Sequence, residues 1–243
     1  MMFEFLKNIM NNKDSTLINN LNSVHRILKT DIKKEPLPKE DEIIFGCGCF
    51  WGAEKCFWKL PGVITTSVGY AGGEKSNPTY YEVCSGLTGH SEVVRVIWDK
   101  SQIDISDLLK MFWECHDPTQ KNRQGNDMGT QYRSAIYYKN ESNIKVILKS
   151  KEQYQIELNK KNLGLIETEI KLIDTYYYAE EYHQQYLASP GSRQYCSASP
   201  TKVKLGNFKG SNYKLKDYVW EEFNWEVDKC VLRSDNKPIK NNN

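Results

Sequence analysis

The chain has 243 residues, of which 39% are hydrophobic and 12% aromatic, enough for a real core in one large domain with extensions or in two small ones. Its 33 basic and 31 acidic residues are interspersed and leave a net charge of +2, so no basic stripe indicates nucleic acid. No apolar run approaches the ~20 residues of a membrane span. Seven cysteines at irregular spacing, without a secretory segment, favour a reducing compartment, and we expect a cytoplasmic protein.

The first 40 residues form a polar extension in which asparagines are interspersed with charges, and its end at 33–38, KKEPLP, is typical of a linker. Four apolar residues at helical spacing are compatible with one face of a marginal helix: Leu17, Leu21, Val24 and Leu28. A mitochondrial transit peptide is the functional alternative, against which several acidic residues and a single arginine weigh. Organelle targeting by this segment therefore stays open.

Residues 41–190 alternate between strand and helix patterns, which we interpret as one folded domain. The predicted strands are 42–45, 63–68, 91–98, 131–138 and 167–173. The first predicted helix begins near residue 50, and the other four cover 80–84, 105–115, 141–163 and 179–187. Because several strands follow one another without a helix between them, we predict an α+β fold, a two-layer α/β sandwich with a ferredoxin-like mixed sheet core and helices on one side. Residues 191–243 have little periodicity and predict a long, irregular and mobile C-terminal tail.

Cys49 lies in a turn of small residues, GCFWG, between a short apolar strand and a helix. Unpaired backbone N–H groups at the start of a helix favour negative charge, so we expect the pKa of Cys49 to be lowered and its thiolate to be a nucleophile. Cys47 is a rival two residues earlier, although it precedes the turn and should point along the strand. The structural alternative is a small buried cysteine that only packs.

Six motifs dense in polar groups follow one another over residues 42–187: GCFWGAE, GYAGG, NPTYYEVCSGLTGHSE, HDPTQ, RQGNDMGTQYRSAIYY and YYYAEEYHQQYL. In this order they resemble the motifs of the peptide-methionine (S)-S-oxide reductases, the methionine sulfoxide reductase A family. The resemblance implies an enzyme that reduces methionine S-sulfoxide, free or within proteins, and so repairs oxidised proteins.

The same resemblance implies roles for individual side chains. Cys49 matches the family's nucleophile, and a thiolate is the side chain best suited to attack sulfur. Glu92 matches the acid that protonates the sulfoxide oxygen; it begins an apolar strand face, where partial burial would raise its pKa. The other matches are Tyr80 and Tyr132 as hydroxyl donors to that oxygen, Asp127 as a supporting acid for a water or neighbouring hydroxyls, and Phe50 and Trp51 as the pocket for the substrate methyl group. Plainer alternatives remain: a rim carboxylate for Glu92, a turn residue for Asp127 and core packing for Phe50.

After the first step Cys49 should be a sulfenic acid, which condenses with a second thiol to a disulfide. Cys196 lies close to the family's first recycling position, in a tail that would have to swing to the active site, and Cys230 is a second candidate for the relay. The sequence SASPTK replaces the glycine-rich stretch that often follows. Thioredoxin or another dithiol is the implied reductant of a monomer without bound cofactor or metal. We interpret the remaining residues of interest as structural: Cys56, Cys84, Cys115, His90, His116 and His183.

Two rival functions follow from the same cysteines. A thiol-based peroxide reductase or redox sensor would use Cys49 against peroxide and not against sulfoxide. A zinc-binding module would use Cys47, Cys49, Cys115 and His116, although the Cys-x-Cys spacing is not the usual one for such sites.

Overall fold

The computed structural model describes residues 22–227 and 229–241. Its elements are, in chain order, β1 (Glu40–Cys47), α1 (Phe50–Trp58), β2 (Val63–Ala71), α2 (Tyr80–Cys84), β3 (Ser91–Asp99), α3 (Ile105–Cys115), β4 (Arg123–Gln124), β5 (Asp127–Met128), β6 (Ser134–Tyr138), α4 (Ile144–Lys160), β7 (Glu169–Leu172), β8 (Tyr176–Tyr178), α5 (Asp217–Glu221) and α6 (Cys230–Arg233). Single 3-10 turns lie at Thr130–Tyr132, Glu141–Asn143, Glu181–His183 and Tyr186–Ala188. Among the described residues, no helix combines the length and apolar character needed to cross a bilayer.

Six strands form one mixed sheet in the order β7-β6-β1-β3-β2-β8, and β4 pairs with β5 in a separate ribbon. The unit β1-α1-β2-β3-α3-β6 supplies the four central strands, each antiparallel to its neighbours, which is the ferredoxin-like arrangement. β7 joins one edge parallel to β6, and β8 joins the other edge antiparallel to β2. The predicted α+β fold with a ferredoxin-like mixed sheet is confirmed.

The main core lies between the sheet and the helices. Phe45 of β1 stacks on Phe57 of α1, with ring centroids 4.8 Å apart. Val94 of β3 belongs to this core, whereas its neighbour Val93 faces a smaller apolar cluster on the opposite side of the sheet. Because side chains alternate along a strand, Glu92 points to the helix-facing side with Val94.

Strand pairing brings the ends of three strands together. Phe45 of β1 pairs with Val94 of β3, and Cys47 pairs with Ser134 of β6, both antiparallel. The carboxyl end of β1 therefore lies beside the amino ends of β3 and β6. The residues that follow β1 therefore lie close to the first residues of β3 and β6 and to those just before them. All of them lie at the same end of the central strands.

The N-terminal segment, as far as it is described, is docked on the domain. His25 Nε2 lies 2.9 Å from the Thr66 hydroxyl of β2, and Ile32 is fully buried. Val24 forms an isolated β-bridge with Asp31, so the described half of the suggested apolar face is not helical. Leu17 and Leu21 lie outside the described residues.

The C-terminal tail is irregular, as predicted, but it is packed, and the expectation of a mobile arm is wrong. Its apolar residues enter the main core: Val203, Leu205, Phe208, Leu215, Val219, Phe223 and Val231. Backbone N–H groups of Lys214 and Leu215 donate to the Asp107 carboxylate of α3. Lys55 and Trp58 of α1 donate to backbone carbonyls near the end of the chain.

The predicted helix over 179–187 is also wrong. This segment forms two 3-10 turns separated by Gln185, which has a left-handed backbone with φ of 47°. Gln184 exchanges hydrogen bonds with the backbone of Val68 (2.9 Å each), and the main-chain and side-chain N–H groups of Gln185 donate to the buried Glu54 carboxylate. These side-chain contacts to the sheet and to α1 replace helical hydrogen bonds.

Three other predicted elements are shorter than expected. The strand predicted over 167–173 runs from Glu169 to Leu172. The strand predicted over 131–138 begins at Ser134, because Thr130–Tyr132 form a 3-10 turn after Gly129. The helix predicted over 141–163 is α-helical from Ile144 to Lys160.

Candidate active site

The turn between β1 and α1 places Cys49 at the N-cap of the helix. Gly48 has φ of +84°, a conformation that L side chains rarely adopt, and a Cβ there would lie 2.4 Å from Cβ of Gln124. The glycine therefore permits the sharp entry into α1 that the pattern GCFWG predicts. Cys49 itself is buried, with 8% of its surface exposed.

The electrostatics of Cys49 differ from the sequence-based prediction. Burial raises the pKa of the thiol well above its ordinary value, and the nearby Glu92 raises it further. The backbone N–H of Trp51 opposes this shift but is the smaller influence. The expected lowering of the Cys49 pKa is therefore wrong, because the cost of an ion in the buried turn exceeds the helix-terminus effect. The resting thiol is protonated.

Glu92, at the start of β3, is the charged group with the largest influence on the pKa of this thiol. Its side chain is 2% exposed, and its Oε2 accepts the backbone N–H of Phe50 at 3.1 Å. Burial raises the pKa of Glu92 to about 8, and the negative charge of Asp127 adds to the rise. The carboxyl group therefore carries a proton at neutral pH, as the sequence predicted.

Tyr80 and Tyr132 contribute two half-buried hydroxyls. Burial raises the pKa of both, and Glu92 is the next cause for each, which places both hydroxyls in the field of that carboxyl. Tyr80 opens α2, whose N-cap Thr79 forms a capping box, and its backbone N–H donates to Glu180 at 2.9 Å. Both hydroxyls remain proton donors at physiological pH.

Asp127 is half-buried on β5. Its Oδ1 accepts a hydrogen bond from the Tyr195 hydroxyl at 2.6 Å, so the neighbouring hydroxyl that it positions is one that the sequence did not single out. The charge of Asp127 also raises the pKa of Cys49 and of Glu92. Adjacency to Cys196 was the one sequence feature that could have drawn attention to Tyr195.

The two aromatic residues after Cys49 face different surroundings. Phe50 is 1% exposed, and its ring centroid lies 6.1 Å from that of Tyr70. Trp51 is half-buried and stacks on Tyr186 at 3.8 Å. Trp51 therefore offers an apolar surface beside the thiol, whereas Phe50 contributes mainly to the core and, through its N–H, to the position of Glu92.

Comparison with known proteins bears on this constellation of thiol, carboxylic acid and hydroxyls. The family model described as peptide methionine sulfoxide reductase matches residues 41–216. The chain belongs to the peptide methionine sulfoxide reductase family. It is thus an oxidoreductase of the class that reduces methionine sulfoxide.

Individual reductases of this family are similar over most of the chain. Peptide methionine sulfoxide reductase MsrA of Ectopseudomonas mendocina is 56% identical over 174 residues, 71% of this chain and 78% of the relative. The mitochondrial peptide methionine sulfoxide reductase of Bos taurus is 55% identical over 170 residues, 70% of this chain and 72% of the relative. The structure of methionine sulfoxide reductase A of Corynebacterium diphtheriae matches with a TM-score of 0.65 and 43% identity, covering 76% of this chain and 89% of that one.

His183 is a residue of this reductase that the sequence reasoning treated as merely structural. Its Nδ1 accepts the indole N–H of Trp51 at 3.0 Å, and its ring centroid lies 4.5 Å from that of Tyr80 and 5.1 Å from that of Phe50. Burial lowers the pKa of His183 to about 3. The neutral ring therefore carries its proton on Nε2, which is buried and has no partner among the described residues. His183 therefore holds the Trp51 indole by a hydrogen bond and packs against the rings of Tyr80 and Phe50.

Cys196 is already beside the catalytic helix. Its side chain is 3% exposed, and its Sγ lies 2.5 Å from the position that a Cβ on Gly52 would occupy. Gly52 stands less than one helical turn from Cys49 on α1. The tail is packed rather than detached: it holds Cys196 against α1, and Gly52 provides the space.

Five of the seven cysteines of this reductase line one cavity: Cys47, Cys56, Cys115, Cys196 and Cys230. Cys230 is half-buried, whereas the other four are buried. The resemblance implied Cys196 as the recycling thiol and left Cys230 as a second relay thiol or an unpaired one, and no local pattern indicates that Cys47, Cys56 and Cys115 lie beside them.

The rival zinc site is only partly assembled. Ligand atoms of Cys47, Cys115 and His116 lie within 4.8 Å of one another, without Cys49. Both nitrogens of His116 already make hydrogen bonds of 2.7 Å, to a backbone carbonyl and to a serine hydroxyl. A metal ion there would have to break one of them, so the donor set does not favour zinc.

Proposed function

We propose that this chain reduces the S epimer of methionine sulfoxide, both free and within polypeptides, and repairs oxidised proteins. The observation that carries the proposal is the convergence of a protonated carboxylic acid, Glu92, and the thiol of Cys49 at one end of the central strands. Trp51 lies next to the thiol and presents an apolar surface for the substrate methyl group.

The first step transfers oxygen from the substrate to Cys49. Glu92 protonates the sulfoxide oxygen, which weakens the S–O bond, and the Cys49 sulfur attacks the substrate sulfur as its proton passes to the Glu92 carboxylate. The transient bond between the two sulfur atoms breaks as the oxygen leaves onto Cys49. The S–O bond of the substrate breaks and an S–OH bond forms on Cys49, so the products are methionine and a cysteine sulfenic acid. Glu92 gives one proton and takes another, so its carboxylic acid is restored. The Cys49 thiol loses its proton during the step and therefore does not need a lowered pKa.

The tyrosines act on the oxygen while it moves. We assign the hydroxyls of Tyr80 and Tyr132 as hydrogen-bond donors to the sulfoxide oxygen, a role for which their raised pKa values suit them because neither ionises. Asp127, through the hydroxyl of Tyr195, holds the tail against this side of the site.

The second step restores the thiol. The Cys196 sulfur attacks the sulfenic acid, a Cys49–Cys196 disulfide forms and the hydroxyl leaves as water. Thioredoxin or another dithiol then reduces the disulfide, and the half-buried Cys230 is a second recycling thiol nearer the surface. This chemistry requires no bound cofactor and no metal. We propose that the protein is a cytoplasmic monomer that binds neither nucleic acid nor membrane. Imaging of residues 1–40 fused to a fluorescent protein tests whether this segment targets an organelle.

Kinetics on separated sulfoxide epimers test the proposal. The wild-type protein with a dithiol should reduce the S epimer and leave the R epimer, Cys49→Ser should lose the activity, and Cys84→Ser, outside the cysteine-lined cavity, should retain it. Activity in Cys49→Ser would overturn the assignment. Reaction of Cys49 with hydrogen peroxide but not with either epimer would favour the peroxide reductase instead.

A further inference from the structure

The cavity lined by five cysteines contains more thiols than the proposed cycle uses. Cys56 is the one that lies on α1, the helix that follows the nucleophile. Gly52 and Cys56 are four residues apart on α1 and so share one face of the helix, and Cys49 is the N-cap residue three positions before Gly52. The Cys196 Sγ lies against Gly52.

This placement gives Cys196 two partners on the same helix. Side chains four residues apart on a helix have Cβ atoms about 6 Å from each other, so Cys56 is the next side chain beyond Gly52 on this face, and it lines the same cavity as Cys196. A disulfide needs Cβ atoms about 4 Å apart. Residues 193–208 have no regular secondary structure, so no helix or strand hydrogen bonds have to break for Cys196 to move along α1 toward either cysteine.

We infer that Cys56 is an internal resolving thiol, which takes over Cys196 from the Cys49–Cys196 disulfide. The Cys56 sulfur attacks the Cys196 sulfur, the Cys49–Cys196 bond breaks, and a Cys56–Cys196 bond forms. Cys49 leaves as a thiolate and takes up the proton that Cys56 loses, so the exchange needs no outside oxidant or reductant. The inference rests on the proposed function, because the first disulfide arises from the sulfoxide.

The surroundings of Cys56 favour thiol–disulfide exchange with Cys196 and not a direct reaction of Cys56 with the substrate. Cys56 is 3% exposed and lines the cavity together with Cys115 and Cys196, so it is shielded from sulfoxide and from an external reductant while Cys196 is beside it. The consequence is a second turnover before any reductant arrives. Cys49, once free, reduces another sulfoxide while the first oxidising equivalent is stored in the Cys56–Cys196 bond.

The test counts methionine per enzyme. Fully reduced protein receives excess free methionine S-sulfoxide and no reductant, in a Cys230→Ser background that removes the half-buried thiol as an acceptor. We expect two methionines per chain, and one when Cys56→Ser is added. Cys115→Ser in the same background is the matched control from the same cavity and should keep two.

Peptide mapping identifies the bond. Trypsin cleaves after Lys55 and so separates Cys56, in CFWK, from Cys47 and Cys49; we expect CFWK linked to QYCSASPTK, the peptide that contains Cys196. One methionine from Cys230→Ser, or two from the variant that also lacks Cys56, would overturn the inference while leaving the proposed function intact. No methionine from the wild-type protein would refute the proposed function itself.

Discussion

Replacement of Glu92 by glutamine should make the protein more stable and less active. Burial raises the pKa of Glu92 to about 8 in the folded protein from an ordinary 4.5. Because the folded pKa is the higher one, the contribution of Glu92 to stability is undiminished below pH 4.5, falls between pH 4.5 and 8, and is constant above. At 1.4 kcal/mol for each pKa unit, the loss at pH 7 is on the order of 3 kcal/mol. A neutral amide removes this loss and keeps an oxygen to accept the Phe50 N–H.

The same substitution removes the proton that the substrate oxygen needs. General acids typically contribute 10²- to 10⁴-fold to a rate, so the single-turnover rate of methionine formation should fall by at least about 100-fold at pH 7. The wild-type rate should decline as the pH rises through 8, because Glu92 then loses its proton. The remaining rate of Glu92→Gln should not change over the same pH range. Urea unfolding from pH 4 to 9 measures the stability difference, with the exposed Glu152→Gln of α4 as the control. A full rate would show that Glu92 is not the acid, and a variant no more stable than wild type at pH 8 would show that its burial does not raise its pKa.

Two further substitutions probe the tail. Gly52→Ala places a Cβ 2.5 Å from the Cys196 Sγ, which has to shift, so disulfide formation should slow by about 100-fold, in line with the cost of a misplacement near 1 Å, while the first methionine forms at the normal rate. Dimedone trapping of Cys49 sulfenic acid measures this, and rapid disulfide formation would contradict it. Tyr195→Phe removes one hydrogen bond to a carboxylate, worth about 1.5 kcal/mol, so kcat/KM should fall about tenfold. An unchanged kcat/KM would show that the hydrogen bond between Tyr195 and Asp127 does not contribute to catalysis.

The sequence predicted those parts of the site that local patterns determine. The helix Ile105–Cys115 follows from periodicity, and its bounds are the predicted ones. The alternation of β3 places Glu92 toward the helices, and partial burial is enough to predict the direction of its pKa shift. The turn before α1 follows from the small residues on either side of Cys49.

Features that depend on tertiary packing could not be read in the same way. The pKa of Cys49 depends on how deeply the turn is buried, which helix position alone does not reveal. The helix predicted over 179–187 is displaced by contacts to Glu54, a residue 131 positions away from Gln185. The packed tail and the cavity of five cysteines arise from segments far apart in the chain, and the role of His183 depends on which aromatic rings surround it.

The central claim is that Cys49 takes the oxygen of methionine S-sulfoxide, and one experiment addresses it directly. Reduced protein carrying Cys196→Ser is mixed with racemic free methionine sulfoxide without reductant, and both epimers and the protein are followed by chiral chromatography and mass spectrometry. We expect loss of the S epimer alone and a dimedone-reactive sulfenic acid on Cys49. Loss of the R epimer, or methionine formed while Cys49 remains unmodified, would contradict it.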